Sequence, residues 1–349
     1  MTTKSKSRLC PAILSTSIAT LFALSSAAVA QTVGVFSNSG NLGTADQTAN
    51  VGLSSSKTYI EAIDLGDSVN TTVNGVLFTG PGAGANPSGT GWAMTGNTTQ
   101  FNGGGTLPGG TLGSLMNKFI YGGNPEVLTL TGLTMGETYS ITFYDRSWEA
   151  AGNRVANFTA SGASTGVAPY AFDGDIGAAA QGSLNLVRYT FQAGTTTQAI
   201  TIAPVVSGNT FHTYAFSNEQ VFNKTWSSGA DWTTATWSAA GAPNSAGANA
   251  SFTSQGAPTA INLNASQTVG HVQFDGANAW TLSTNNASTL TLQGDVGGVS
   301  VLSAKTGRHE ISAPVTFAND VMKSGTGTLV LSGAITDAGK NITDRKSVV

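Results

Sequence analysis

No stretch of this chain keeps apolar residues at the i, i+3, i+4, i+7 spacing of a helix, and short alternating runs are instead broken every ten residues or so by Gly, Asn, Ser or Asp. That rhythm restricts the fold to many short strands. Clear examples are Thr58 to Ile63, Val127 to Leu130, Thr138 to Tyr144, Leu186 to Phe191 and Ala199 to Ile202. In the third, Tyr139, Ile141 and Phe143 share one face because strand side chains alternate, leaving Ser and Thr on the other. The expected fold class is all-β.

From about 55 to 220 the pattern predicts an antiparallel β-sandwich with its apolar faces together and its hydroxyl-rich faces in water. The glycine-rich stretches Gly80 to Gly91 and Gly103 to Gly113 are expected as surface loops. Near Val221 to Lys224 the texture changes. Trp226, Trp232 and Trp237 fall close together, and apolar pairs then recur at Ile261/Leu263, Val272/Phe274, Trp280/Leu282, Leu290/Leu292 and Val301/Leu302, a step of roughly ten residues. Units of that kind bury their faces only against neighbours, as in a parallel β-helix, and the three tryptophans are expected to cap its first end. The chain thus divides into a sandwich over 31–222 and the start of a parallel β-helix over 223–343. Because few contacts cross an ordinary linker, residues 31–222 are expected to fold alone.

Only 9% of the residues are Asp, Glu, Lys or Arg, against about 25% in an average globular protein. With 15 basic and 18 acidic side chains, net −3, no basic run exists to neutralise phosphates, so nucleic acid is not an expected partner. Long disorder is excluded too, since it pairs low hydrophobicity with high net charge and here hydrophobic residues reach 40%. In stacked rungs the low charge has a physical use: like charges would repel at strand spacing, whereas Thr and Asn ladders can hydrogen-bond.

Both ends carry their own signals. Lys4, Lys6 and Arg8, the apolar run from Ile13 to Leu24 and Ala28-Val29-Ala30 have the order of a cleavable export signal, which places the mature start at Gln31 and gives no transmembrane helix after it. Cys10 lies inside that signal, so no disulfide is expected in the exported chain. The last six residues, Asp344 to Val349, match the translation of a common short-read sequencing adapter, so the natural protein is expected to continue beyond Thr343.

The strands around YIEAIDLG, VNGVLFTG, LTLTGLTMGETYSITFYDRSW and HTYAFSNEQ resemble the jelly-roll modules of large secreted bacterial surface proteins and, in style, carbohydrate-binding sandwiches. Lys323 to Gly333, KSGTGTLVLSG, is similar to the core of the autotransporter-associated β-strand repeat, and the tryptophan-spaced stretch Trp226 to Phe252 is similar to the region that opens such passenger domains. The resemblance implies a secreted or surface-displayed (outer-membrane) passenger built as a right-handed parallel β-helix, non-enzymatic and structural or adhesive in role. The alternative is a polysaccharide-binding module of a larger secreted enzyme.

Catalytic patterns are weak. Gly66-Asp67-Ser68 looks like a nucleophile block of one esterase group, but none of His212, His271 and His309 follows the Asp-x-x pattern that chemistry needs, so a strand-end turn is expected. Asp173-Gly174-Asp175 could supply calcium carboxylates, yet it lacks the further oxygens and closing Glu of an EF-hand and reads as a turn. No zinc site and no cofactor are expected from three scattered histidines. Asp145, Arg146 and Glu149 gather with Arg154 around Trp148 in a chain otherwise poor in charge. They are either a salt-bridged loop or a sugar site, with Trp148 stacking on a polysaccharide ring and Asp145, Arg146 and Glu149 bonding its hydroxyls.

Overall fold

The alternating runs become strands of two six-stranded sheets in a computed structural model that describes residues 33–343, apart from 67, 167, 178–180, 239–240 and 254. The export signal at 1–30, Asp67 of the Gly-Asp-Ser block and the tail at 344–349 lie outside the described residues. In the first sheet the order is Thr165–Gly166, Val33–Asn38, Leu184–Gln192, Thr138–Arg146, Ala215–Gln220, Thr58–Asp64; in the second it is Tyr170–Asp173, Val155–Gly162, Thr197–Pro204, Glu126–Thr131, Trp92–Thr95, Ser88–Gly89. Apart from the short parallel contact of Val33–Asn38 with Thr165–Gly166, the neighbours are antiparallel. Tyr139, Ile141 and Phe143 point from one sheet into a core shared with Phe158, Ile200 and Leu128 of the other. This is the sandwich expected from period-two patterning.

One expectation fails inside the glycine-rich stretch Gly103 to Gly113. Its end runs into a short helix, Thr111–Leu115, whose Leu112 and Leu115 are buried with Phe78, Phe119 and Tyr144 in a second core. Two apolar side chains three apart were enough to pull the segment down onto the sheet, against the entropy cost of its glycines.

Beyond Gln220 a short antiparallel pair, Trp226–Ser228 with Thr236–Trp237, comes first, and from Asn249 on the strands of the three long sheets pair in parallel. Three sheets run along about four turns of a β-solenoid, with Asn249–Phe252, Thr259–Asn262 and Gln267–Val269 forming the first turn. His271 lies beside Val301, Val301 beside Met322 and Met322 beside Thr343, so successive rungs repeat after 30, 21 and 21 residues. Each pair of sequence repeats is therefore one strand, and three strands make a turn. Ile261, Leu282, Ile311 and Leu331 stack in register, as do Thr268, Thr291, Thr316 and Thr336 on the outside of another sheet. At the corner of KSGTGTLVLSG a Cβ on Gly327 would stand 2.6 Å from the Thr306 carbonyl of the rung below, so close stacking requires glycine there. Trp226, Trp232 and Trp237 pack with Phe252 and Trp280 over the first rung, which is the capping arrangement that strand edges need.

The sandwich does not leave its Ser and Thr face to water. Thr138, Ser140 and Thr142 are buried, and so is every residue of Ser300–Ala304 and Val321–Ser324 in the solenoid. The two halves lie side by side: Val35, Val221 and Phe222 form an apolar cluster with Val299, Val301 and Met322. Val301, grouped with the inward pairs in the sequence pattern, faces out toward the sandwich. Around the cluster Lys57 joins Glu219 at 3.1 Å and Asp295 of the solenoid more closely, Arg188 Nε donates to Val296 O at 3.0 Å, and Lys305 Nζ reaches Glu137 at 2.6 Å. The 30-residue turn is the long one because it carries the Asp295 to Gly298 loop that meets Lys57 and Arg188.

Candidate functional site

Strand Thr138–Arg146 ends at the residues the sequence singles out. Asp145 and Arg146 are 2% and 1% exposed, Trp148 is half-buried and Glu149 is exposed. The four are brought together, but only two of them reach the surface. Arg146 is committed inward: Nε donates to Met116 O and Nη2 to Gly104 O, each at 2.8 Å, and Nη1 to Thr106 O. Its guanidinium also lies 5.0 Å from the Trp148 ring. Three carbonyls of an otherwise irregular segment are thus satisfied by one side chain. Asp145 cannot bond a surface sugar either, because the strand register buries it opposite Asn185.

Trp148 meets Phe101, Phe119 and His212 edge-on at 5.1 to 5.5 Å, so part of its ring is packing surface. Behind it, Asp175 Oδ1 accepts from the Trp148 and Glu149 amides at 2.6 and 2.9 Å. Arg154 Nη2 donates to Glu149 Oε1 at 3.2 Å, Nη1 donates to Thr210 O at 2.9 Å, and Nε stands 3.7 Å from Asp175 Oδ2. The Asp173-Gly174-Asp175 segment is a turn, with the Asp175 amide bonded to Asp173 Oδ1 at 3.0 Å. Burial pushes Asp145 well above the ordinary carboxylate range, with the charge of Asp175 adding to it, and burial raises Asp175 despite its two amide donors. The arrangement has the salt-bridged loop of the first reading together with a half-exposed aromatic edge.

The histidines are separate. His212 stacks on Phe119 at 4.1 Å, His271 lies at the junction with Phe222, and His309 in the solenoid accepts from the Trp280 amide at Nδ1, 3.2 Å, while Nε2 donates to Thr306 O at 2.6 Å. Among the described residues no three His, Cys, Asp or Glu side chains form a metal-holding group.

A second feature escaped the sequence reading. Along the edge strand Thr58–Asp64 runs a cleft of about 500 Å3 lined by Tyr59, Glu61, Leu77, Thr79, Thr90 and Trp92 among others. Glu61 is buried at its floor, accepts from Asn218 Nδ2 at 2.7 Å, and is pushed up to about 7 by burial. Ile60 and Leu77 are half exposed beside it. A charged residue in the middle of YIEAID, in a chain with so few, was the available signal.

No protein-family model, curated protein or solved structure matches the chain. Function therefore has to be argued from the site itself.

Proposed function

We propose that the chain is an exported, non-enzymatic surface protein of the autotransporter-associated repeat type, in which the solenoid is a rigid carrier and the sandwich holds a polar glycan. The observation that supports this reading most is the buried junction. A sandwich sheet lying flat along the solenoid, with Lys57 and Asp295 paired between them, is held at a fixed angle rather than on a tether, as a displayed binding surface requires. The glycan contact is the outer edge of Trp148 with Glu149, where an aromatic plane meets a carboxylate on a loop at a sheet end. Asp145 and Arg146 hold that loop from below. A glycan array with residues 31–343 tests the reading: binding lost in Trp148→Ala but kept in Glu61→Gln is the expected result, and no binding to any glycan would overturn it.

A further inference from the structure

Three buried acceptor oxygens without a hydrogen-bond partner belong to residues gathered around Gly174. They are Asp145 Oδ2, Asp175 Oδ2 and Asn185 Oδ1. Asn185 is 0% exposed and faces Asp145 across the strand pair. Its Nδ2 donates to Gly174 O at 2.9 Å and to Ser147 Oγ at 3.1 Å. Because Gly174 O can only accept, the amide cannot be turned round, and Oδ1 is fixed as the atom left without a donor. A Cβ on residue 174 would lie 2.8 Å from Asp145 Oδ2, so the glycine keeps this space free.

Charge points the same way. Asp145 and Asp175, both buried, gather here with the partly buried Asp173 and the exposed Glu149 against the guanidiniums of Arg146 and Arg154, so acidic side chains outnumber basic ones four to two. Arg154 stands on the Asp175 side, 3.7 Å away, and Arg146 is turned to three carbonyls, so neither covers Asp145 Oδ2. Unsatisfied buried oxygens ask for a donor or a cation.

We propose that Asp145, Asp175 and Asn185 hold a hard divalent cation, calcium by chemistry, beneath the Trp148 loop. Carboxylates and an amide carbonyl are the oxygen set calcium takes, with water and main-chain carbonyls completing six to eight ligands. Magnesium fits less well, since it demands near-octahedral geometry and keeps most of its own water. Entry is through the exposed Glu149 to Gly152 segment. The ion would tie the end of strand Thr138–Arg146 to the Asp173–Asp175 turn and so set the position of Trp148, whose amide shares Asp175. This inference is independent of the glycan reading, because ion uptake is measured with no glycan present.

The test is to strip the protein of residues 31–343 with EDTA and titrate calcium by calorimetry, by thermal unfolding and by terbium luminescence excited through tryptophan. The expected results are stoichiometric uptake, a midpoint raised by at least about 2 °C in millimolar calcium, and sensitised terbium emission. Trp148→Phe should lose the emission but keep the calcium shift, and Asp145→Asn should lose both. If Asp145→Asn does not fold, the wild-type titration still decides. No heat, no shift and no emission up to millimolar ion would overturn the proposal and leave a proton on Asp145, shared with Asn185, as the partner of these oxygens. A calcium shift of equal size in Asp145→Asn would also overturn it.

Discussion

Lys57 of the sandwich and Asp295 of the solenoid form an ion pair that is almost completely screened from water, with Glu219 accepting a second bond from the same ammonium at 3.1 Å. Lys57 and Arg188 hold Asp295 below the ordinary carboxylate range although burial opposes them. Removing one member of such a group leaves the others charged and buried, which costs about 3–5 kcal/mol. Asp295→Ala should therefore lower stability by roughly that amount, and Lys57→Met with Asp295→Ala should recover part of it. Urea unfolding of the single and double variants measures the difference; a neutral Asp295→Ala would mean that water reaches the junction.

The same junction changes the expectation for a truncated sandwich. Residues 31–222 without the solenoid would expose Val35, Val221 and Phe222 and strip Lys57 of Asp295 and Arg188 of its Val296 partner. The shortened chain should be less stable than residues 31–343 and tend to self-associate through that apolar face. Sedimentation and thermal unfolding of the two chains decide the point, and a monomer with an unchanged midpoint would refute it.

How much of this was legible beforehand differs from residue to residue. Tyr139, Ile141 and Phe143 announce a strand because alternation is a local property, and Leu290/Leu292 announce an inward solenoid face for the same reason. The lateral packing was not legible, because Ser140, Thr142 and Thr190 look like a water-facing side and are covered only by the solenoid, whose first rung starts far along the chain at Asn249. Arg188 in the middle of LVRYTF was a warning: a cation between apolar strand residues has to meet acceptors, and it finds Thr142, Val51 and Val296. At the candidate site the cluster was visible as four charged or aromatic residues in five, but strand register alone decides that Asp145 and Arg146 are inside while Glu149 is out.

Trp148 also has a structural share that can be measured apart from ligand. Its ring contacts Phe101, Phe119 and His212. A fully buried Trp→Ala costs ~3–5 kcal/mol, and a half-buried one should cost about 2–3 kcal/mol. Chemical unfolding of Trp148→Ala gives the value directly. A loss under ~1 kcal/mol would assign the ring to the surface alone.

Stability should fall as pH rises through neutrality, the reverse of the usual behaviour of a salt-bridged acid. Glu126 is fully buried, accepts from Thr213 Oγ1 at 2.7 Å through one oxygen only, and is pushed up to about 8 by burial. Glu61 is raised to about 7 for the same cause, with the Asn218 bond opposing it. A carboxyl whose folded pKa lies above its unfolded value binds more protons when folded, so its contribution is greatest below about 4.5 and is lost as pH climbs through 7 to 8. The histidines act in the opposite sense at lower pH: burial holds His271 near 3 and His212 well below its ordinary range, so charging them favours unfolding as pH falls below about 6.5. Between about 4.5 and 6.5 the two effects offset each other, and above that window the carboxyls raised by burial, Glu219 and Asp145 as well as Glu61 and Glu126, act without that opposition. The midpoint of thermal unfolding should therefore decline from pH 6.5 to 8.5, and Glu126→Gln, which removes the charge and keeps the shape, should flatten the decline and exceed wild type at pH 8.5. A flat wild-type profile over that range, or a Glu126→Gln variant with the same slope, would show that Glu126 reaches water in solution.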